Sequence, residues 1–353
     1  MIPLAAAPAA AIDDAIAEAI GRIQTRSASH GGALSALGDA IGRAAGGGKR
    51  FRPALVAASF EACGGSSADQ PGLYPVAAAF ELLHTAFVVH DDVIDHDTVR
   101  RGIPNVAGEF RLRARTQGAD ASGEALLGDA AAILAGDLLL HEAVRLVALA
   151  EIGSTQREEL LGLVDDAVLI SAAGELADVE NAVAGACADP DALLAAAHNK
   201  TAVYSFTAPL CAGAVLAGAP APVIAALERA GGHLGLAFQL ADDLIGAFGS
   251  PAQAGRPAGG DLREAKRTPL IALARESASW DRVSDALAVA HTGPIAVSEA
   301  QQALVESGAR TRLLALIDGT LAEARDAASD HALPAAARAL VGELAHAIAE
   351  RVP

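Results

Sequence analysis

Apolar residues recur three and four positions apart along almost the whole chain, which is the spacing that places them on one face of an α-helix. Short segments rich in glycine, proline and aspartate, residues that favour turns, separate these stretches. Near the C-terminus, for example, Leu340, Leu344 and Ile348 form an apolar stripe in a segment that begins after Pro334. No segment shows the alternation of apolar and polar residues that predicts a β-strand. The pattern therefore predicts an all-α protein.

The breaks between the predicted helices are short. The loops expected near "GGSSADQPG", "RTQGADASG", "GACADPD" and "GSPAQAGRPAGGD" are too short to serve as linkers between domains. A chain of 353 residues with 52% hydrophobic content can bury one large core or two ordinary ones. Because neither a repeat nor a linker divides the chain, we predict one domain over residues 1–353, with the sequence motifs between about 46 and 270 and further helices over about 271–353.

The charge of the chain argues against nucleic acid as a partner. Lys and Arg number 26 against 43 Asp and Glu, which gives a net charge of -17 and would repel a polyphosphate backbone. The three cysteines, Cys63, Cys187 and Cys211, have no CxxC spacing and an odd count, which argues against a zinc site and a disulfide framework. A reducing cytoplasm fits this cysteine usage. The apolar start lacks a basic segment and is a poor signal peptide.

One uncharged segment, residues 201–227, is long enough to span a bilayer. It contains Pro209, Pro220 and Pro222 and begins with a cluster of polar side chains, so a buried core helix is the preferred interpretation. We therefore expect no transmembrane segment.

Four aspartates stand within the stretch "HDDVIDHDTVRRG" at the end of a predicted helix. Asp91 and Asp95 are four residues apart and therefore share a helix face. Two carboxylates at this spacing can hold Mg²⁺, which prefers sparse carboxylate sites completed by water and phosphate oxygens. A solvated acidic helix end explains this stretch equally well when it is taken alone.

A second acidic group and several basic groups change that balance. In "FQLADDLIG", the side chains of Gln239, Asp242 and Asp243 lie on one face of an otherwise apolar helix, where charged groups need partners. Metal ions bound to a diphosphate would supply them. Basic residues occur in "GGGKRFRP", "VRRG", "HNKT" and "GRPAGGDLREAKRT", and arginine and lysine suit phosphate groups. Each basic pair alone is also explained as a solvated helix end.

In order along the chain, these elements resemble the trans-isoprenyl diphosphate synthase, or polyprenyl synthetase, family. "GGGKRFRP" is similar to the family's GGKRxRP, "HDDVIDHDTVRRG" to its first aspartate-rich motif with the trailing RRG, and "NKTAVYSF" to its KT segment. "FQLADDLIG" is similar to the second aspartate-rich motif, and "GRPAGGDLREAKRT" to the GKxxGxDLxxGKxT stretch that follows it. The resemblance runs from about Gly46 to about Leu270.

The resemblance implies a single large bundle of antiparallel helices with a deep central cavity, the isoprenoid synthase fold. The two aspartate motifs would face each other across its mouth with three Mg²⁺ ions between them. The family ionises an allylic diphosphate to a carbocation, joins it to isopentenyl diphosphate and removes a proton, which leaves a chain five carbons longer. A homodimer is implied as well.

Site residues follow from the resemblance position by position. The metal ligands would come from the two aspartate motifs, Asp91, Asp92 and Asp95 in the first and Asp242 and Asp243 in the second. The allylic diphosphate would be bound by Arg100, Lys200 and Lys266, and isopentenyl diphosphate by Lys49, Arg52, His84 and Arg101. Arg256 would be a further substrate-binding residue. Polar groups near the developing cation and the leaving group would be supplied by Thr201 and Gln239.

The chain departs from the family pattern at a few positions. Gly246 replaces the third aspartate of the second motif, Arg256 stands where lysine is usual, and Glu175 stands where glutamine is frequent. Gly260 and Ala265 replace an acidic residue and a glycine. Because the first motif and the basic residues are present, we expect an active prenyltransferase. The alternative is a non-catalytic or regulatory subunit of a heteromeric synthase. A terpene cyclase and an HD-type hydrolase fit the second acidic group less well.

Product length in this family depends on side-chain bulk one helix turn before the first aspartate motif. Ala86 and Phe87 occupy those positions, and the ring of Phe87 would lie about 5.4 Å deeper than Asp91 on the same helix face. Two adjacent aromatic residues, the arrangement expected for a shorter limit, are absent there. We therefore expect geranylgeranyl diphosphate (C20) as the main product, with farnesyl diphosphate (C15) as the alternative.

Overall fold

The computed structural model describes residues 6–185, 188–254 and 258–353, and helices make up most of these ranges. The first part of the chain contains helices α1 (Ala6–Ala28), α2 (Gly32–Ala45), α3 (Phe51–Ala62), α4 (Leu73–Ile94), α5 (Val106–Thr116), α6 (Ala121–Ala148) and α7 (Ser154–Val183). A small hairpin of β1 (Val99–Arg100) and β2 (Ile103–Pro104) separates α4 from α5, and one 3₁₀ turn covers Ser67–Asp69. The all-α prediction is confirmed.

The second part of the chain is helical too. It contains α8 (Pro190–Ala197), a π-helix (His198–Thr207), α9 (Ala208–Leu216), α10 (Ala221–Phe248), α11 (Pro251–Ala254), α12 (Gly260–Arg263), α13 (Pro269–Arg275), α14 (Trp280–Val289), α15 (Pro294–Glu306), α16 (Ala309–Ala328) and α17 (Ala335–Ala349). A 3₁₀ turn covers Ala290–Thr292.

Several helices begin at a side chain that caps the first turn. Asn105, Asp120 and Asp189 precede α5, α6 and α8, and each side chain accepts a hydrogen bond from a backbone N–H three residues later. Such a cap satisfies one of the N–H groups that the first helical turn leaves without a partner. These starts are therefore encoded locally in the sequence.

The helices group into two compact units. The N-terminal unit extends to Gly162 and includes Ala212–Gly218, and the C-terminal unit contains Leu163–Cys211 and Ala219–Pro353. Helices α7 and α9 contribute residues to both. That the whole chain, residues 1–353, forms a single domain stays a prediction.

Helix α4 is the central helix of the N-terminal unit and packs against α1, α3 and α6. Its residues from Val76 to Leu83 are all buried, which matches their apolar composition apart from Glu81. Among the described helices, α4 alone is long and apolar enough to cross a membrane by length and composition, and 67% of the window tested is buried in the structure. Burial of this kind is what a core helix shows.

Helix α10 is the central helix of the C-terminal unit and packs against the π-helix, α16 and α17. Two glycines allow its close approach to the π-helix. A Cβ atom at Gly231 would lie 2.9 Å from the Cα of Thr207, and one at Gly235 would lie 2.4 Å from the Cα of Ala202. Any larger residue at these positions would push the two helices apart.

The uncharged segment 201–227 is divided into three pieces rather than forming one helix. Its first part, Thr201–Leu216, is buried throughout, as expected for a core segment. It comprises most of the π-helix and all of α9, and the chain then turns before α10 begins at Ala221. The two prolines at the start of α10 explain the break, because proline is compatible with the first turn of a helix but not with its interior.

Candidate active site

The first aspartate motif lies at the carboxyl end of α4. Asp91 is half-buried in the last turn, Asp95 is exposed at the C-cap, and the Asp95 N–H donates to the Asp91 backbone carbonyl at 2.8 Å. The carboxyl end of a helix carries partial negative charge, so carboxylates there are unfavourable unless a cation is close. This placement suits a cation-binding role, which stays a prediction.

Asp92, which follows Asp91 in this motif, has a different environment. Asp92 is 3% exposed, and its Oδ1 accepts hydrogen bonds from Arg100 Nε at 3.0 Å and Nη2 at 2.5 Å. Burial raises the pKa of Asp92, and the hydrogen bonds from Arg100 oppose that shift. Arg100 Nη2 also lies 3.9 Å from Asp91 Oδ2. In this structure Arg100 therefore links the carboxylates of Asp91 and Asp92. The sequence had suggested that Asp92 is a metal ligand and that Arg100 binds diphosphate.

The "RRG" stretch forms the turn of the β1–β2 hairpin. Val99 pairs with Pro104 and Arg100 with Ile103, and the two residues between them, Arg101 and Gly102, have φ values of 54° and 80°. Two consecutive left-handed residues define the turn that best matches the twist of a hairpin. The turn separates the two arginines: Arg100 reaches Asp92, while the Arg101 guanidinium approaches the Gly47–Gly48 backbone.

Three arginines of this unit act electrostatically on His84. Burial, followed by the positive charges of Arg52, Arg100 and Arg101, holds the pKa of His84 well below its usual range. His84 is therefore neutral near pH 7, and three guanidinium groups lie close enough to affect its pKa. Three of the four residues predicted to bind isopentenyl diphosphate, Arg52, His84 and Arg101, thus interact electrostatically. The fourth, Lys49, has an exposed side chain in the loop before α3.

The two residues predicted to control product length differ in exposure. Ala86 is completely buried in the N-terminal unit, whereas Phe87 is half-buried. Phe87 lies one helical turn before Asp91, as expected. Of the two side chains, only that of Phe87 is partly accessible, and the roles of both in product length stay predictions.

The second aspartate motif lies in the last third of α10. Thr201, in the π-helix, donates from its hydroxyl to Gln239 Oε1 at 2.7 Å, and Gln239 Nε2 donates to Asp243 Oδ1 at 2.8 Å. A continuous hydrogen-bonded chain thus joins the KT segment to the second motif. It holds the Gln239 amide in one orientation, since its oxygen accepts and its nitrogen donates.

Other carboxylates lie close enough to Asp243 to affect its pKa. Burial, together with the negative charges of Asp261, Asp242 and Asp178, raises the pKa of Asp243 to about 8, although the hydrogen bond from Gln239 opposes the shift. Burial disfavours the charged form of the carboxyl group, and this effect is increased by electrostatic repulsion from the neighbouring carboxylates. A divalent cation would relieve this repulsion.

Gly246, the position of the missing third aspartate, lies directly against Asp261. A Cβ atom at Gly246 would lie 1.6 Å from Asp261 Oδ2, so any side chain here must displace that carboxylate. Asp261 is 6% exposed, in α12. The second motif has no carboxylate at position 246, and the carboxylate of Asp261 lies beside that position of α10. Sequence reasoning did not single out Asp261, because only the folded chain places it beside Gly246.

The predicted lysines of this unit contact carboxylates. Lys200 Nζ lies 3.0 Å from Glu175 Oε2 and 3.0 Å from Asp178 Oδ2, and Lys266 Nζ lies 3.6 Å from Glu264 Oε2. Glu175 thus pairs with Lys200 at the position where the family often has glutamine. Arg256, also predicted to bind diphosphate, lies outside the described residues.

Ala265, which replaces a family glycine, adopts a left-handed conformation with φ 53°. This conformation costs a residue with a Cβ roughly 1 kcal/mol, which explains why glycine suits the position.

The C-terminal residues provide a contact that sequence reasoning missed. Arg351 Nη2 forms an ion pair with Asp242 Oδ1, and the guanidinium lies 4.2 Å from the ring centroid of Phe238. Arg310 Nη2 donates to the Pro353 carbonyl at 2.7 Å and holds the end of the chain. The first aspartate of the second motif is therefore neutralised by a residue 109 positions away.

The donor atoms in both units suit Mg²⁺. Hard carboxylate oxygens are the ligands that Mg²⁺ prefers, and it usually keeps several waters and substrate phosphate oxygens in its shell. Among the described residues, no three acidic, histidine or cysteine side chains converge closely enough to hold a metal by themselves. Such sparse sites fit a metal that arrives with a diphosphate. The roles of the individual residues toward metal and substrate stay predictions.

Comparison with known proteins agrees with these motifs. The polyprenyl synthetase family model matches residues 36–306. A geranylgeranyl diphosphate synthase of Mycobacterium tuberculosis is 38% identical over 252 residues, which are 71% of this chain and 65% of that protein. A (2E,6E)-farnesyl diphosphate synthase of the same species is 37% identical over 261 residues, 73% of this chain and 66% of that protein. The chain thus matches slightly less than two thirds of the length of either relative.

A solved structure shows the same fold. The geranylgeranyl pyrophosphate synthase from Corynebacterium glutamicum, complexed with isoprenyl diphosphate and magnesium, superposes with a TM-score of 0.87 and 26% identity over 99% of this chain and 100% of that one. The all-α isoprenoid synthase fold is confirmed by this likeness. Together with the match over residues 36–306, it establishes that the chain belongs to the polyprenyl synthetase family.

Proposed function

We propose that the protein is a magnesium-dependent prenyltransferase that condenses isopentenyl diphosphate with an allylic diphosphate to a short-chain prenyl diphosphate. The observation that carries the proposal is the acidic end of α4, where Arg100 binds Asp92, together with a neutral His84 on which three arginines act electrostatically. Carboxylates suited to Mg²⁺ and guanidinium groups suited to phosphate are what binding of a metal diphosphate requires. The relative complexed with isoprenyl diphosphate and magnesium supports the same ligands.

The reaction requires charge stabilisation and exclusion of water. The carbon–oxygen bond of the allylic diphosphate breaks, the double bond of isopentenyl diphosphate forms the new carbon–carbon bond, and loss of a proton restores a double bond. Mg²⁺, when bound, would stabilise the negative charge of the departing diphosphate, and we propose three ions held by the two aspartate motifs. Cationic side chains add fixed positive charge at the same oxygen atoms.

Each residue set has a distinct task in this proposal. Lys49, Arg52, His84 and Arg101 bind isopentenyl diphosphate, Arg100, Lys200 and Lys266 bind the allylic partner, and Arg256 is a further substrate-binding residue. Thr201 and Gln239 are tied to each other and to Asp243, so their dipoles are fixed before substrate arrives. Preorganised dipoles of this kind need no rearrangement when charge develops.

The ion pair between Arg351 and Asp242 competes with a metal ion for the Asp242 carboxylate. Arg351→Gln is therefore expected to lower the Mg²⁺ concentration that gives half-maximal rate. A partly exposed ion pair is worth up to about 1 kcal/mol, so the shift should be at most about fivefold. The measurement is initial rate against Mg²⁺ concentration at saturating substrates. Arg229→Gln, which breaks an exposed ion pair with Asp330 in the same unit, is the matched control. An unchanged or higher Mg²⁺ requirement in Arg351→Gln would contradict Asp242 as a ligand.

The proposed main product is C20 geranylgeranyl diphosphate, with C15 farnesyl diphosphate as the second candidate because one relative carries that name. If Phe87 forms the floor for the growing chain, Phe87→Ala should extend the product beyond C20, and Ala86→Phe should shorten it towards C15. Products from each allylic primer with isopentenyl diphosphate and Mg²⁺ would be identified by chromatography.

Thermal unfolding is the control for this experiment, since Ala86 is completely buried and a larger side chain there can destabilise the core by about 1–3 kcal/mol. Folded variants that retain activity and unchanged product length would show that this face of α4 does not line the elongation cavity. A wild-type product of C15 would replace the C20 assignment. A wild type that forms no product from any primer would contradict the proposed function.

A homodimer is part of the proposal. Large apolar side chains are exposed along α5 and α6, namely Leu112, Leu126, Ile133 and Leu134. Exposed apolar residues that recur along neighbouring helices are typical of surfaces that associate. Their distribution supports association of two copies through these helices.

A further inference from the structure

The loop before α3 has an unusual backbone. Gly47, Gly48 and Arg50 all have left-handed conformations, with φ values of 69°, 90° and 48°. Glycine adopts this conformation without penalty, but arginine does not, because its Cβ approaches the following carbonyl group. A strained residue of this kind persists only where its surroundings hold it.

Three acceptors from three helices hold the side chain of Arg50. Its Nη1 donates to the Ala45 carbonyl at 3.0 Å and to Glu81 Oε1 at 3.2 Å, and its Nε donates to Asp13 Oδ1 at 2.8 Å. The Arg50 side chain is only 16% exposed. The Arg50 side chain therefore points into the protein, where its guanidinium group is engaged by these hydrogen bonds.

One side of the loop is open. Gly46, Gly47 and Gly48 border an open cavity of about 640 Å³ between α1 and α2, so one side of the loop has no packing neighbours. The anchor at Arg50, together with the Arg101 guanidinium near Gly47 and Gly48, therefore contributes to the conformation of the loop.

Glu81 is the part of this anchor that lies on α4. It is 6% exposed, and while its Oε1 accepts from Arg50, its Oε2 is buried without a hydrogen-bond partner among the residues described. A Cβ atom at Gly48 would lie 3.5 Å from Glu81 Oε1 and 3.9 Å from Arg101 Nη2, so the loop backbone passes directly over this carboxylate. A buried, partly satisfied carboxylate is costly compared with an apolar side chain of similar size. Its presence indicates a role other than packing.

We propose that Arg50 and Glu81 form a positioning pair that fixes Lys49, in the loop, and Arg52, in the first turn of α3, for isopentenyl diphosphate. Neither member contacts the substrate. Arg50 separates the two binding residues, and its anchored left-handed backbone sets the direction from which each one projects. Glu81 ties that geometry to α4, the helix that carries His84. This role rests on the proposed function, because it presupposes that Lys49 and Arg52 bind that diphosphate.

The pair is tested with a double-mutant cycle. Arg50→Ala, Glu81→Ala and the double variant are compared with wild type for the KM of isopentenyl diphosphate, the KM of the allylic substrate and kcat. Each single variant should raise the KM of isopentenyl diphosphate about tenfold, because a loop that samples several conformations must be ordered on binding. The KM of the allylic substrate and kcat should change less than about twofold. The double variant should resemble the single ones, because residues that act as one unit are not additive.

Two conservative variants separate positioning from folding. Glu81→Gln keeps the shape and the acceptor oxygen, and Arg50→Lys keeps the charge, so both should remain folded even if the alanine variants do not. Glu81→Gln should restore most of the affinity that Glu81→Ala loses. Arg43→Ala is the matched control, since Arg43 lies near the same loop but pairs with Glu109 on α5. It should leave every kinetic constant unchanged.

Calorimetric titration of wild type with isopentenyl diphosphate distinguishes a failure of the proposed function from a failure of the positioning pair alone. If wild type neither binds nor consumes it, the proposed function is wrong and the positioning role falls with it. If wild type binds it and folded variants at positions 50 and 81 bind it equally well, the positioning pair alone is wrong. Equal increases in both KM values would also overturn it, because that result indicates a general structural effect.

Discussion

Asp91→Asn and Asp95→Asn are each expected to lower kcat by at least about a hundredfold while the fold stays intact. In wild type these carboxylates would help to hold the metal ions that stabilise the departing diphosphate. Loss of one interaction that stabilises developing charge typically lowers kcat about 100- to 1,000-fold. Both side chains lie at the accessible carboxyl end of α4, so neither change removes core packing. Steady-state rates at saturating substrates and Mg²⁺ measure the effect, and circular dichroism verifies the fold.

The matched control for these variants is Asp97→Asn, an exposed aspartate just beyond the motif. Its rate should stay within about twofold of wild type. Excess EDTA should abolish wild-type activity, and Mg²⁺ should restore it. Full activity of either motif variant, or of wild type in EDTA, would contradict the assignment of metal to this end of α4.

The second large effect concerns the division of the basic residues between the two substrates. Arg52→Ala should raise the KM of isopentenyl diphosphate about 10- to 150-fold with little effect on the allylic substrate, since a charge-assisted hydrogen bond is worth about 1.5–3 kcal/mol. Lys200→Ala should do the reverse. In this variant Glu175 and Asp178 also lose their shared cation, so repulsion between them adds to the loss.

Each of these variants serves as the control for the other, because both remove one positive charge from the same protein. The KM values of both substrates are measured for both variants under identical conditions. The assignment of the basic residues to two substrates would be supported if Arg52→Ala raised only the KM of isopentenyl diphosphate and Lys200→Ala raised only that of the allylic substrate. Equal effects on both substrates, in either variant, would show that the arginines and lysines act as a common positive field rather than as two separate binding sites.

The helices and their starts could be predicted from the sequence because both depend on local information. Periodic apolar residues, capping side chains such as Asn105 and Asp120, and prolines in first turns act within a few residues of each other. The hairpin around Arg101 and Gly102 escaped prediction. Its strands are two residues long, and its turn lacks the asparagine or aspartate that usually signals this geometry.

The π-helix was not predicted either. The segment "HNKTAVYSFT" has no composition that distinguishes it from an α-helix, and close packing accompanies its wider turns. A Cβ atom at Gly174 of α7 would lie 2.2 Å from the Lys200 backbone nitrogen. Such π-helical segments are rare and occur mostly at functional sites, which agrees with the position of Lys200 and Thr201 in it.

The sequence by itself determined the helical class, the family and the residue types available for metal and diphosphate, because periodicity and ordered motifs are written along the chain. Only the tertiary structure decided which charge meets which. Arg351 reaches Asp242, Asp261 lies against Gly246, and Arg100 binds Asp92 rather than standing free. The reason is physical: electrostatic and hydrogen-bond energies depend on distance and burial in the folded chain, and residues far apart in sequence acquire both only when the helices pack.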